Sequence, residues 1–344
     1  MKVNKIVKTL LVVSAMSLLA VGLTGCGKKG NAESSDPKTL TVQFVPSVNA
    51  GSMDTKIKPL QSLLSKQLHM PVKMTVATTT NTMVEALGSK TLDVGFLPSA
   101  AYILAHKQYG VIPLLQAQRQ TRDANEGFTK KLTNHYYAEV VVRKDSNIKS
   151  LKDLKGKKIA TQDTTSAAGY IYPAVEMQHE GINLNKDCKP FTVKGADQGV
   201  MSVVNGNADA AFVFEGARSI AAKDDPKAMT NTRVLYKSTP IPNDTISARK
   251  GLSPKLDKKI QKAFMDIAKT KHGREVLFNI YQHNGYVKTS NKDFAPMKSY
   301  IKQANNLNKN KKLIIFIKRR LVSELSDYRS SFCILILSLS KRNI

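Results

Sequence analysis

The stretch DLKGKKIATQDTTSAAGYIYP, residues 153–173, decides how the rest of the chain is read. Lys157 and Lys158 lead into Ile159 and Ala160, a short apolar run that reads as a strand. A hydroxyl-rich turn follows, and a helix is expected to open near Ser166. A helix N-terminus presents N–H groups without intrahelical partners and the positive end of the dipole. Thr164, Thr165 and Ser166 add hydroxyl donors there, while the small Ala167 and Ala168 leave room for close approach. Such a turn suits the tetrahedral oxygens of an anion. It lacks the Gly-x-x-x-x-Gly-Lys spacing of a nucleotide loop, so triphosphate hydrolysis is not implied. The plainer reading is helix capping by Ser166, worth about 1 kcal/mol.

The same strand-then-helix grammar extends in both directions. Leu40 to Val45 reads as a strand, and Leu60, Leu63, Leu64 and Leu68 mark a helix face that stops at Met70-Pro71. Val72 to Ala77 is a second strand and Met83 to Leu87 a short helix. Near the other end, Ser253-Pro254 starts a helix whose face is Leu256, Ile260, Phe264 and Ile267, with a stop expected at Gly273. Alternation of this kind predicts α/β layers with mainly parallel sheets. An internal echo sharpens the prediction. Val84 to Asp93 and Val200 to Asp209 each run helix, polar turn, short strand, and in register beyond them Ser99 falls opposite Glu215. Two similar lobes would place both loops at carboxyl ends of strands, where open α/β sheets bind ligands.

Composition excludes several classes. With 42% hydrophobic residues in 344, the chain can bury a core. Its formal charge of +27 raises nucleic acid as a partner, but both ends inflate the figure. The body, residues 26–308, has scattered lysines and no stretch that interleaves Arg or Lys with aromatics, so no nucleic-acid groove is expected. Cysteines at 26, 188 and 333 are too few and too scattered for a disulfide framework or a zinc site, and no metal is expected. The six histidines show no H-E-x-x-H spacing, G-x-S-x-G is absent, and Cys188 has no activating partner in sequence, so the chain does not read as an enzyme and no cofactor is implied.

Residues 1–25 read as an export signal. Lys2, Lys5 and Lys8 precede an apolar run from Leu10 to Val21 that is short for a membrane span. The run ends in Leu23-Thr24-Gly25-Cys26, which resembles a bacterial lipobox, with Cys26 as the lipidated residue. A lipid anchor would hold the protein at the extracytoplasmic face of the cell membrane. The polar residues 26–39 are expected to be a tether. Gly25 to Gly30 matches G-x-G-x-x-G, but without a strand before it or a helix after it the match carries no dinucleotide. Residues 305–344 change character to a basic and apolar tail with Lys318-Arg319-Arg320, foreign to the preceding architecture.

The body resembles the phosphate/phosphite/phosphonate-binding lipoproteins that serve ABC transporters. The resemblance covers roughly residues 40–303 and rests on residues 153–173, on LDVGFLPSAAYILA at 92–105, on GNADAAFVFEGAR at 206–218 and on IPND at 241–244. It implies a two-lobed, type II periplasmic-binding-protein fold with a hinge and a ligand cleft. Lobe 1 would be 40–140 with 245–304, lobe 2 141–244, and the hinges near Val141–Lys144 and Pro240–Ser247. By resemblance Thr164, Thr165, Ser166 and the N–H of Ala167 grip the oxyanion, and Tyr102 lines the cleft with Ser99 as a further candidate. Glu215 and Asp244 match acids that pair with the ligand amine in members binding aminoalkylphosphonates; a carboxylate there can equally accept from a protonated oxyanion. Thr80 and Asp197 stand where some members carry a tyrosine and a histidine. The implied protein is a monomeric receptor for a small phosphorus oxyanion that delivers to an ABC permease. The alternatives are a receptor for another anion or a thiamine-precursor-like ligand, or an enzyme on the same fold. Locally, Glu215 could instead pair with Arg218, and Asp244 could be a turn residue.

Overall fold

The computed structural model describes residues 36–45, 50–123 and 126–307. The expected export signal and lipidated Cys26, and the chain beyond residue 307, lie outside the described residues. The first half runs Leu40–Phe44 (β1), Ala50–Leu68 (α1), Val72–Val76 (β2), Thr80–Gly88 (α2), Val94–Leu97 (β3), Ser99–Tyr109 (α3), Ile112–Arg122 (β4) and Phe128–Thr133 (β5). After the short His135–Tyr136 (β6) come Ala138–Arg143 (β7), Lys158–Thr161 (β8), a π-turn over Ala167–Ile171 and Tyr172–His179 (α4). Leu184–Asp187 (α5), Lys189–Thr192 (β9), Ala196–Val204 (α6), Ala210–Phe214 (β10), Ala217–Ala221 (α7), Lys227–Thr230 (α8) and Thr232–Lys237 (β11) follow. The chain returns through Ile241–Pro242 (β12) and Thr245–Ala248 (β13) to Pro254–Lys269 (α9), Lys271–Tyr281 (α10), Gly285–Lys288 (β14) and a helix over 295–307 (α11).

Two sheets result. The first has seven strands in the order β14-β4-β13-β3-β1-β2, with β5 hairpinned onto β4; the second has five in the order β11-β7-β10-β8-β9. β1 shows why the sequence folds this way: Leu40, Val42 and Phe44 are buried, and Thr41 and Gln43 alternate with them. In α9 the Ser253 hydroxyl accepts from Leu256 N at 3.0 Å, Pro254 sits in the first turn, and Leu256, Ile260, Phe264 and Ile267 are buried. Each such side chain stabilises by about 1.5–3 kcal/mol through burial. Asp36, at the end of the expected tether, is fastened to this same helix start, its carboxylate accepting from Ser253 N and Oγ at 2.7 and 2.6 Å.

The internal echo is structural. Lys90 and Gly206 both turn through positive φ, at 64° and 73°, between helix and strand. At the strand starts, Asp93 accepts from Thr41 N at 2.9 Å and Asp209 from Lys158 N at 2.8 Å. Each acid thereby ties its strand to a parallel neighbour, β3 to β1 and β10 to β8.

Three expectations are corrected. Both sheets are mixed rather than mainly parallel: β1, β2 and β3 run parallel, as do β8, β9 and β10, but β7, β11, β13, β4 and β14 join antiparallel. β13, for example, enters between β3 and β4 only after the chain has run through the second sheet and returned, so no βαβ unit sets its direction. Gly273 is no helix stop, since it lies in the first turn of α10; the break falls at Thr270, whose hydroxyl accepts from Gly273 N at 2.9 Å. The first hinge also moves. Val141 and Val142 pair on both sides within β7, and the chain crosses between sheets earlier, at residues 134–137. The return crossing is at 238–244, and the two crossings pair through β6 and β12, Ile241 with Tyr136 and Pro242 with His135. The C-terminal segment ties the two halves from another side. Tyr300 of α11 stacks on Tyr172 of α4 with ring centroids 4.0 Å apart and donates to Glu176 Oε1 at 2.9 Å, while Asn291 accepts from Tyr102 of α3 at 3.1 Å.

Candidate anion-binding site

Strand directions bring the candidate residues to two sets of loops. In the second sheet β8, β9 and β10 are parallel, so the turns after them open at one edge, carrying Thr164 to Ala167, Asp197 and Glu215 respectively. β7 starts at that edge with Tyr137 just before it, and β11 ends there at Lys237. In the first sheet the corresponding edge carries Thr80 after β2, Ser99 after β3, Asp244 before β13 and Arg119 to Arg122 at the end of β4. The paired crossings β6 and β12 connect the two edges. Carboxyl ends of parallel strands are where such sheets bind ligands.

The turn after β8 is held from inside and open outside. Ser166 Oγ accepts from Gly169 N and donates to Gln162 Oε1, both at 3.1 Å. Gln162 N donates to Gly169 O at 2.9 Å, which closes the turn. Gly169 is required here: a Cβ would lie 2.6 Å from Gln162 Cβ. Ser166 is therefore a cap, as its simpler reading had it, and its capping bond pulls the turn into shape. Thr164 and Thr165 are exposed, with no hydrogen-bond partner among the described residues. The N–H groups that begin the π-turn, at Ala167 and Ala168, have no place in its own ladder. Two exposed hydroxyls stand just before the start of a helical segment here, groups of the kind that can donate to an oxyanion.

The acids of the site are already partnered. Asp244 bonds Arg119 at 2.6 Å and lies 3.4 Å from His283 Nε2. Burial alone would raise its carboxyl, but the Arg119 charge and the His283 contact hold it below its ordinary value. Burial pushes His283 down, so it meets Asp244 as a neutral ring. Glu215 does not pair with Arg218. It bonds the Lys237 ammonium, whose nitrogen stands 4.2 Å from the centroid of the Tyr137 ring. Arg218 turns instead to Glu126 of the β4–β5 hairpin at 3.0 Å, and Glu126 also accepts from Ser219 N and Oγ. A third acid, Glu139, is buried in β7 beside this group with its Oε2 unpartnered among the described residues.

The remaining candidates divide. Ser99 begins α3 buried, and its hydroxyl has no partner among the described residues; Pro98 before it supplies no side-chain cap. Thr80 opens α2 behind the Thr79 capping box. Asp197 is exposed in the first turn of α6, where it folds back over Gly195 and favours the helix dipole. Tyr102 does not line a cleft. It is fully buried against Phe294, at 4.7 Å between ring centroids, and its hydroxyl is used by Asn291. Cys188 is buried, its thiol donating to Leu154 O at 3.1 Å and pushed up to about 11 by burial. Among the described residues no group of three or more His, Cys, Asp or Glu could hold a metal ion.

Sequence reasoning missed Arg119, Arg122, Lys237 and Glu139. The Arg122 guanidinium lies over the Phe128 ring at 4.1 Å and donates to Glu126 O at 2.6 Å. It also packs against Gly216, where a Cβ would fall 2.3 Å from Arg122 Nε and where φ is 91°. The available signal was the change within β4 from the apolar half around Leu114 and Leu115 to Gln118-Arg119-Gln120-Thr121-Arg122, a strand end that leaves the core. A surface depression lined by Gln61, Ser65, Lys66 and Pro71 shares no residue with this site.

With this geometry in view, the comparisons are decisive on family. The model of the ABC-transporter phosphonate periplasmic substrate-binding proteins matches residues 42–294. The chain belongs to that family. It is 25% identical over 286 residues to the phosphate-import protein PhnD of Mycolicibacterium smegmatis, covering 80% of this chain and 86% of that one. Among solved structures, PhnD1 of Prochlorococcus marinus in complex with methylphosphonate superposes with a TM-score of 0.64 at 20% identity, over 78% of this chain and 99% of that one. A phosphonate-transporter binding protein of Pseudomonas aeruginosa gives 0.62 at 16% identity, over 84% and 99%. The fold is the two-lobed one of periplasmic binding proteins. Family membership makes the chain an extracytoplasmic substrate-binding component of an ABC transporter, and no described helix is long and apolar enough to cross a membrane.

Proposed function

We propose that this substrate-binding protein captures a small phosphorus oxyanion between its two sheets and releases it unaltered to an ABC permease. The observation that carries the reading is the turn after β8, where unpartnered Thr164 and Thr165 hydroxyls adjoin the free N–H groups of a helix start. Relatives named for phosphate import and solved with methylphosphonate point to the same ligand class. Ser99, unpartnered at the start of α3, offers a further hydroxyl from the first sheet. Lobe 1 would hold the first sheet and lobe 2 the second, with rotation absorbed at the paired crossings, 134–137 and 238–244. The family is one of transporter binding proteins, which supports a receptor over an enzyme on the same fold. Cys26 would carry the lipid that keeps the domain at the membrane.

The test is a double substitution. Thr165→Val with Ser166→Ala removes one hydroxyl offered to the ligand and the bond that shapes the turn. Methylphosphonate affinity should fall at least tenfold by calorimetric titration, the loss expected when a charge-assisted hydrogen bond and the geometry of its neighbours go together. An unchanged affinity would place the anion elsewhere.

A further inference from the structure

Resting on that reading, we infer that Lys237 closes the site to ligands with a cationic tail, making the receptor selective for oxyanions that carry no amine. Three neighbouring strands build the feature. Lys237 ends β11, Glu215 follows β10, and Tyr137 precedes β7, with Glu215 N donating to Tyr137 O at 2.9 Å. A carboxylate beside an aromatic face is what an alkylammonium seeks, an ion pair on one side and the ring quadrupole on the other. Here the chain's own ammonium takes both places, bonded to Glu215 Oε1 and 4.2 Å from the Tyr137 centroid. Glu215 is largely buried, with 13% of its side chain exposed, while Lys237 reaches it from a 44% exposed position.

The other acid at the site is closed in the same manner. Arg119 bonds Asp244 at 2.6 Å and His283 stands on its second side at 3.4 Å, so neither acid presents an uncompensated negative charge. A ligand amine would have to displace Lys237 and leave two ammonium groups competing for one carboxylate. An amine-free phosphonate, phosphite or phosphate meets no such conflict, and with Lys237 and Arg119 balanced by Glu215 and Asp244, Arg122 over the Phe128 ring adds a positive charge on the same side of the site.

The experiment titrates the full chain and its Lys237→Met variant, which keeps side-chain length and removes the charge, against methylphosphonate and 2-aminoethylphosphonate. The wild type should prefer methylphosphonate at least tenfold. Lys237→Met should shift the affinity ratio toward 2-aminoethylphosphonate by at least tenfold, and adding Glu215→Gln should abolish that shift. Circular dichroism of each variant verifies that it is folded, and Lys237→Gln provides a second neutral replacement. A wild type that binds 2-aminoethylphosphonate as tightly as methylphosphonate, or a ratio unmoved by both replacements, overturns the inference while the receptor reading stands. Absence of binding by any phosphorus anion, phosphate and phosphite included, overturns both.

Discussion

Glu139 lies on β7 in register with Val213 on one side and Lys237 on the other, and burial, with Glu126 and Glu215 nearby, raises its carboxyl to about 7. The folded protein then keeps a proton between its ordinary value of 4.5 and about 7 that the unfolded chain has released. Stability must therefore fall as pH rises through this window, by up to about 3 kcal/mol at its upper end. Glu139→Gln, a permanent mimic of the protonated form, should unfold at higher urea than wild type at pH 8 and at nearly the same urea at pH 5. Equal midpoints at pH 8 would show that the carboxylate is compensated. At this scale the sequence was half legible. Hydroxyls between a strand and a helix advertise an anion without any partner being known, so Thr164, Thr165 and Ser166 could be singled out. Lys237 and Arg119 owe their roles to partners 22 and 125 residues away, Glu215 and Asp244, and Glu139 owes its burial to strands that pair on both sides of it. Periodicity carries no such information.

Elements were read more securely than their pairings. α1, α2 and α9 stand where apolar spacing and the Ser253-Pro254 start put them, and β1 and β2 where alternation did. The echo between the two halves survived because its acids, Asp93 and Asp209, do the same job of fixing the start of a parallel neighbour. Strand direction was misjudged, since β13, β14 and β7 look alike in sequence whether they enter a sheet parallel or antiparallel. The turn after β8 also behaves as a unit, and this gives a prediction. Gly169→Ala must drive Gln162 away, and with it the partner that receives the Ser166 hydroxyl. Methylphosphonate affinity should drop at least fivefold by calorimetry while the unfolding temperature falls by only a few degrees. Full-strength binding by the Gly169→Ala variant would mean that the turn adjusts freely.

At the scale of the whole molecule, the residues that matter are those joining the halves. β6 and β12 pair the two crossings, and the C-terminal segment reaches from Tyr102 on the first half, through Asn291, to Tyr172 on the second, through Tyr300. Glu126, from the hairpin attached to the first sheet, grips Arg218 and Ser219 beside the second. The sequence set the return hinge at Pro240–Ser247, a range that covers most of the 238–244 crossing and runs on into β13. It set the outward hinge at Val141–Lys144, most of which lies in the Ala138–Arg143 strand, whereas Tyr136 and Tyr137 before that strand lie in the crossing. The measurement that tests the account most directly is calorimetric titration of the full chain with phosphate, phosphite, methylphosphonate and sulfate. The account predicts one-to-one binding of at least one phosphorus anion at micromolar affinity or better. Sulfate should bind more weakly, because it carries no proton to donate to the hydroxyl oxygens of Thr164 and Thr165. Equal or tighter binding of sulfate, or no heat from any phosphorus anion, would contradict it.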